Sequence, residues 1–472
     1  MVLIMAQAED PARRQSAAAM RTLAIWAAGP ASPQLPPAVR RRAALILMDD
    51  LGAMVAGAVE PQVAQAVAQF ARSSGTPEAT VFAPGTPRLD RASAASANGM
   101  AAAWCELDEG FRGVPCHAGA YLLSALLAEA EATQASVDDL LEAIAIAYEV
   151  TVRLACGFPF RHMTVHPHAA FATIGAAAAV SALRRHDAAT FLSSVTGAAS
   201  MAFAGPFGHA IEGTLVRNAW TSAGAWIGLR AADWAEIGIA GKAETPYDAF
   251  VGCFGTDSNP DALSRALGER WTMQDGYHKI YACCQYAHAT VEASLALHAR
   301  LDAKHPADAL EEILVETHPR AMALTTVEPE TVLAAKFSIP HAAAAVATLG
   351  SGGARAFSAA TMADQTIDAL RRRVRLQPFT PLGEPPHDRP SRVTWRFRDG
   401  AEWTETCLSA QGGPDRPFGE QTLVAKCIEN AGAAFPAMQP ALAEIVAGAP
   451  AALARAWSET VQAMIAGSHT HE

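Results

Sequence analysis

TIGAAAAVSALRR (Thr173–Arg185) and NAWTSAGAWIGLRAADWA (Asn218–Ala235) are two alanine-rich segments that read as helices able to pack closely. Alanine is the strongest helix former, and its small side chain lets neighbouring helix axes approach. Working outward, Leu35-Pro36-Pro37 places proline where a helix can begin, and Ala44, Leu47, Leu51 and Val55 recur at helical spacing. Ser136, followed by Asp138 and Asp139, predicts a helix start, with Leu140, Leu141, Ile144, Tyr148 and Val152 as its apolar face. These segments predict a large all-helical body. After about residue 270 the texture changes. Glu312–Thr317 and Arg373–Gln377 read as short strands, and Val393, Trp395 and Phe397 share one face of a third. Asp399-Gly400 is a hairpin signal, with Trp403–Leu408 returning from it. Helical stretches at Ala287–Arg300 and Pro340–Thr348 make this segment α+β. The division expected is a helical domain over 1–269, an α+β domain over 270–412, and a helical return over 413–472 ending in a frayed SHTHE.

The 472 residues carry 36 Lys plus Arg against 47 Asp plus Glu, a net charge of −11. An acidic chain without a Lys/Arg run lacks the electrostatic footprint of a nucleic-acid binder. The start, MVLIMAQAEDPARRQ, has no basic region before its short apolar stretch and does not read as a signal peptide. No run of about 18 apolar residues predicts a membrane span. None of the eight cysteines forms a CxxC pair, and reduced cysteines in a cytoplasmic protein are expected. There is no P-loop, dinucleotide fingerprint or GxSxG elbow, which leaves side-chain chemistry or a protein that is no enzyme.

Four clusters could carry chemistry. Glu106-Leu107-Asp108-Glu109, with His117 eight residues on, suits a loop at a cleft mouth where crowded carboxylates raise one another's pKa. The alternative is an ordinary acidic loop. His162, His166 and His168 suggest zinc, but Pro167 predicts a turn and no Cys or Asp stands near as a further ligand. A histidine acid or base is more economical, and no metal or cofactor is expected. Lys279 stands among Cys283, Cys284 and His288 in a chain with five lysines and 31 arginines, so a compact ammonium is specifically placed there. The cysteines are read as packing. Lys336-Phe337-Ser338-Ile339-Pro340-His341 enters an alanine-rich helix, where Ser338 and free N–H groups either hold an anion or simply cap the helix.

Taken in order and spacing, these clusters resemble the MmgE/PrpD family, which includes 2-methylcitrate dehydratases, cis-aconitate decarboxylases and iminodisuccinate epimerases. LPPAVRRRAALILMDDLGAMVAGA from Leu35 looks like the opening helix, and ASANGMAAAWCELDEG from Ala95 the helix ending in an acidic motif. HPHAAFATIGAAAA from His166 is similar to the HPT segment, and GTLVRNAW from Gly213 to the G-x-x-x-K/R segment. KIYACCQYAH from Lys279 resembles K-x-Y-P-x-C-x-x-x-H, and KFSIPH from Lys336 resembles KFS-x-P-Y/H. The resemblance covers nearly the whole chain. It implies a mainly α fold in which a large helical domain carries a smaller α+β lid domain inserted before the C-terminal helices. It also implies a homodimer and cofactor-independent chemistry on a small di- or tricarboxylate in the cleft between the domains. By position it gives catalytic roles to His166, His117, Lys279, Asp108 and His341, and substrate contacts to Arg217, Glu106, Cys284, His288 and Ser338. The sequence departs from the family pattern with Arg217 for Lys, His341 for Tyr, Ala118 and Ala282 for Pro, His168 for Thr, and one extra residue in the acidic loop.

The expected mechanism is removal of a proton α to a carboxylate by His166, with Lys279 and Arg217 neutralising the developing charge. His117, oriented by Asp108, or His341 would then supply a proton. Arg217, Lys279, His117, His166, His288 and His341 converging on one cleft would hold several carboxylates in a local positive field. A 2-methylcitrate dehydratase-like hydro-lyase is the first expectation. Decarboxylase-like or epimerase-like activity, and a non-catalytic carboxylate-binding protein, are the alternatives.

Overall fold

The computed structural model describes residues 10–29 and 35–466. The opening MVLIMAQAE and the terminal SHTHE lie outside the described residues. Ten helices frame the site: α1 (Pro11–Ala27), α2 (Pro37–Ala58), α3 (Arg91–Ala102), α4 (Ala118–Thr133), α5 (Val137–Gly157), α6 (Pro167–Leu183), α7 (Val216–Glu236), α8 (His288–His298), α9 (Ile339–Leu349) and α10 (Glu420–Ala431). The expected starts at Pro37 and Ser136 are present, and Ser136 with Asp139 forms a reciprocal capping box. Among the described residues no helix is long and apolar enough to cross a membrane.

At the centre α6 is buried along nearly its whole length, with α7, α4 and α5 around it. Small residues set the spacing. A Cβ added to Gly224 would meet Ala172 Cβ at 2.5 Å, and one on Gly228 would meet Ala176 Cβ at 2.3 Å. Both pairs advance together along the chain, so α6 and α7 run parallel and begin at the same end of the body. α3 crosses α7 as closely, with the Gly99 position 2.8 Å from the Thr221 carbonyl. Pro167 opens α6 at its first turn instead of breaking the segment, because its missing N–H is one that a helix start leaves unpaired.

A four-stranded sheet is built from β3 (Leu310–Thr317), β4 (Val374–Pro378), β5 (Ser391–Phe397) and β6 (Glu402–Cys407), in the order β4-β3-β5-β6. β3 and β4 are parallel and the other pairs antiparallel. α8 packs against β5 and β6, and α9 packs on α8. Buried Ile313, Val315, Val393 and Trp395 make the sheet's apolar side. The chain then returns through α10, which lies along α2 with Cys427 Cα 3.6 Å from the Gly52 Cβ position. A two-residue ladder is the important link to the site. Gly110–Phe111 (β1) pairs antiparallel with Gly276–Tyr277 (β2), joining the acidic segment to the segment that carries Lys279.

Candidate active site

Parallel packing of α6 and α7 brings His166, the cap of α6, against Arg217 in the first turn of α7, with Arg217 Nε 3.4 Å from His166 Nε2. His117 caps α4, and α3 ends at Ala102 just before the acidic segment. Three helix N-termini therefore meet one C-terminus at a single place, and the positive ends of the three dipoles favour an anion there. The chamber they enclose has a volume of about 70 Å³ and is lined by Glu106, His117, His166, Arg217 and Lys279, with Cys284 and Phe337. It adjoins an outer cavity of about 680 Å³, and Pro115, Met163, Phe207, Cys284 and Tyr286 belong to both walls.

The acidic segment forms the chamber floor, not a loop at its mouth: Glu106, Asp108 and Glu109 are at most 2 % exposed. Glu106 has φ of +55°, a left-handed conformation that costs a non-glycine residue roughly 1–3 kcal/mol. Its side chain is held on both sides, by an ion pair with Arg217 and by Lys279 Nζ at 3.3 Å. Asp108 lies 2.8 Å from His117 Nδ1 and 3.8 Å from Lys279 Nζ. Burial alone would raise both carboxyls, but Arg217 and Lys279 outweigh it at Glu106, and Lys279 and His117 outweigh it at Asp108. Both are ionised. The mutual raising expected of this motif is not what lifts Glu109: burial does, to about 7. Glu109 accepts from the Gly119 N–H at 2.7 Å and the Tyr148 hydroxyl at 2.9 Å. Lys279 is fully buried, and Asp108 and Glu106 outweigh the downward pull of burial to hold it charged.

The expected local positive field is reduced, because Glu106 and Asp108 balance Arg217 and Lys279. The histidines are also held differently from one another. Both ring nitrogens of His166 face N–H donors, Nδ1 the His168 N–H at 3.1 Å and Nε2 the Arg217 Nε–H at 3.4 Å. Burial, then Arg217 and His117, hold its pKa well below the usual range, so the ring is neutral. A guanidinium beside Nε2 disfavours taking up a proton there, which the role of base first expected for His166 requires. His117 has the opposite arrangement. Its Nδ1 donates to the Glu109 carbonyl at 2.9 Å, beside Asp108, leaving the Nε2 lone pair for the chamber.

Four expected residues do not line the chamber: Asp108, which stands behind His117, and His341, His288 and Ser338. His341 is buried, with Nε2 donating to the Ala356 carbonyl at 3.0 Å and Nδ1 3.2 Å from Arg371. Burial takes its pKa down to about 4. His288 donates to the Cys283 carbonyl at 3.2 Å, and burial followed by Lys279 takes it down to about 3. Ser338 caps α9 by accepting from the His341 N–H at 3.0 Å, which is the capping alternative read from the sequence. The same KFSIPH segment contributes through its first two residues instead. Lys336 donates to the Trp104 carbonyl at 3.0 Å, and the Phe337 ring lies 5.6 Å from the Arg217 guanidinium carbon. Cys284 lines the wall, and burial pushes its thiol up to about 11, so it is packing there and not a nucleophile. His162 is exposed and does not join His166 and His168, which removes the three-histidine zinc reading.

Sequence reasoning missed Tyr277, Gln285, Tyr286 and Arg389. Tyr277 lines the chamber two residues before Lys279, from a ladder too short to show a sequence period. Arg389 had no sequence signal; it reaches the chamber from the loop before β5, donating to the Arg112 carbonyl at 2.9 Å and lying 4.8 Å from the Tyr286 ring centre.

Residues 21–265 match the model of the MmgE/PrpD N-terminal domain, and residues 281–448 match that of the MmgE/PrpD C-terminal domain. No curated protein matches the chain. With both domain models accounting for most of its length, the chain belongs to the MmgE/PrpD family.

Proposed function

We propose that this chain is a cofactor-independent lyase that removes a proton α to a carboxylate of a small di- or tricarboxylate, first of all as a dehydratase. The observation carrying this reading is His117, with Nδ1 occupied by the Glu109 carbonyl and Asp108 beside it, leaving Nε2 free as a base. The α-proton moves to His117 Nε2, and Asp108 stabilises the imidazolium that results. The electron pair left on carbon delocalises into the carboxylate, where buried Lys279 and Arg217 meet the developing charge. His166 stays neutral beside Arg217 and helps to hold that guanidinium in place. For dehydration the carbon–oxygen bond then breaks, and the His117 imidazolium returns the proton to the departing hydroxyl as water. Lys279 is a poor acid because its two carboxylates hold its proton.

Decarboxylation shares the same stabilised carbanion. Epimerisation needs a second base, and burial beside Arg217 disfavours protonation of His166, which weighs against it. Activity in the cytoplasm and a homodimeric assembly belong to the same proposal. The test is proton NMR of the purified protein with 2-methylcitrate, citrate, cis-aconitate and iminodisuccinate, with and without EDTA. A new vinyl signal insensitive to EDTA supports dehydration. Chelator-sensitive turnover contradicts the side-chain mechanism, and binding of carboxylates with no turnover and no exchange supports the non-catalytic reading.

A further inference from the structure

We infer that the carboxylate substrate bears an apolar substituent several carbons long, with its reacting end in the inner chamber and its substituent in the outer cavity. The inference rests on the carbanion reading and narrows its substrate.

Volume is the first argument. At ~15 Å³ for each water-sized site, the inner chamber of about 70 Å³ holds about five waters, so a citrate-sized molecule overfills it. The adjoining outer cavity of about 680 Å³ lies within the usual range for a bound small molecule. Its wall is mainly apolar, through Phe160, Met163, Phe171, Phe207, Ile211 and Leu324. Arg161, His162 and Arg320 also line this cavity, but against its apolar side chains a carboxylate would be desolvated, whereas a hydrocarbon chain would be buried favourably.

Charge is the second. Arg217 and Lys279 are matched by Glu106 and Asp108, as described above. Two further cations stand at the junction of the chambers, on either side of Tyr286. Arg389 lies 4.8 Å from the Tyr286 ring centre, and Arg320 Nη1 is 3.5 Å from its hydroxyl. Arg389 is already engaged: Asp388 pairs with its Nε at 3.5 Å, and its other nitrogens donate to the Gln285 side chain and to the Arg112 carbonyl. Among the described residues no carboxylate pairs with Arg320. Arg161, on the outer rim, is already paired with Asp257 at 2.5 Å. The outer cavity thus meets the inner chamber beside one cation, Arg320, with which no carboxylate pairs among the described residues, and its wall beyond is apolar, which suits a hydrocarbon substituent.

The test is calorimetric binding and α-proton exchange in D₂O with the full-length protein and a series of 2-alkylsuccinates from methyl to heptyl. Affinity should rise about fourfold for each methylene that enters the outer cavity. Ala323, an exposed residue on that cavity's wall, provides the control. Ala323→Trp should abolish the gain with length while keeping the wild-type melting temperature. Affinity that is flat or falls with chain length overturns the inference, as does an Ala323→Trp variant that retains the full gain. Exchange with the methyl member but no gain with length defeats the apolar extension and leaves the carbanion chemistry standing. Affinity that climbs with length but without exchange upholds the extension and defeats the carbanion chemistry. If a second copy of the chain covers the cavity, binding will be independent of length, which also overturns the inference.

Discussion

At the level of single residues, the division of labour between His117 and His166 follows from what the two nitrogens of each ring face. Replacing His117 with Ala should lower kcat at least ~100-fold, the usual worth of a positioned base, with a smaller change in KM. Asp108→Asn removes the carboxylate 2.8 Å from His117 Nδ1, so kcat should fall while the fold persists. Steady-state kinetics of both variants check this. His341→Ala should behave in the opposite way. The ring bonds only the Ala356 carbonyl and Arg371, so its loss should cost about 1–3 kcal/mol of stability in denaturant unfolding and leave kcat near wild type. Which histidines belong to the motifs was legible in the sequence; what their ring nitrogens face was not, because this depends on the Glu109 carbonyl, the His168 N–H and Arg217 brought in by the fold. His341 illustrates the limit. Motif position predicted a chamber residue, while the helix beginning at Ile339 turns it towards Ala356 and Arg371.

Helix against helix, the register of α6 and α7 holds His166 next to Arg217. Gly228→Ala would place a Cβ 2.3 Å from Ala176 Cβ and 2.6 Å from the Ala177 amide, and neither belongs to a flexible side chain. The helices must then part or slide, which should destabilise the protein by ~1–3 kcal/mol in urea unfolding and lower activity through the displaced Arg217. The two alanine-rich segments were visible as helices from composition alone. Their true starts, Pro167 and Val216, lie earlier than the alanine runs indicate. Pro167 read as a break because its effect depends on position: inside a helix it removes a bond, while at the first turn it removes none. The β1–β2 ladder was invisible in the sequence. Two residues on each side carry no periodicity, and the Gly110 position lies 2.6 Å from the Tyr277 hydroxyl, a contact that only the tertiary fold defines.

Across the whole molecule, a buried polar network ties the chamber to the chain's return. Asp49 on α2 takes Lys426 of α10 at 2.5 Å and His278 at 2.7 Å, and Lys426 also donates to the Leu107 carbonyl at 2.6 Å. Next to it, Asp50 accepts the Glu109 N–H at 2.7 Å and is pushed up by burial and then by the Glu109 charge. Burial pushes the Glu109 carboxyl from the usual 4.5 up to about 7. A carboxyl whose folded pKa is raised binds its proton more tightly in the folded state than in the unfolded one. Its contribution is full below about pH 4.5 and is lost as pH rises through about 7, a difference of roughly 3 kcal/mol. Melting temperature measured across this window should fall with rising pH, and Glu109→Gln should flatten the slope. The sequence showed a crowded acidic motif but not which carboxyl would hold the proton. Glu106 and Asp108 face cations from distant segments, while Glu109 is buried against Asp50, some sixty residues earlier in the chain.

The most direct test of carbanion chemistry driven by His117 is α-proton exchange in D₂O, followed by NMR, for the wild type, His117→Ala and His166→Ala with the carboxylate panel and the 2-alkylsuccinates. Deuterium should enter the α-carbon of at least one compound with the wild type, and His117→Ala should lose that exchange at least ~100-fold. Exchange at the wild-type rate in His117→Ala, or its loss only in His166→Ala, would contradict the assignment of the base.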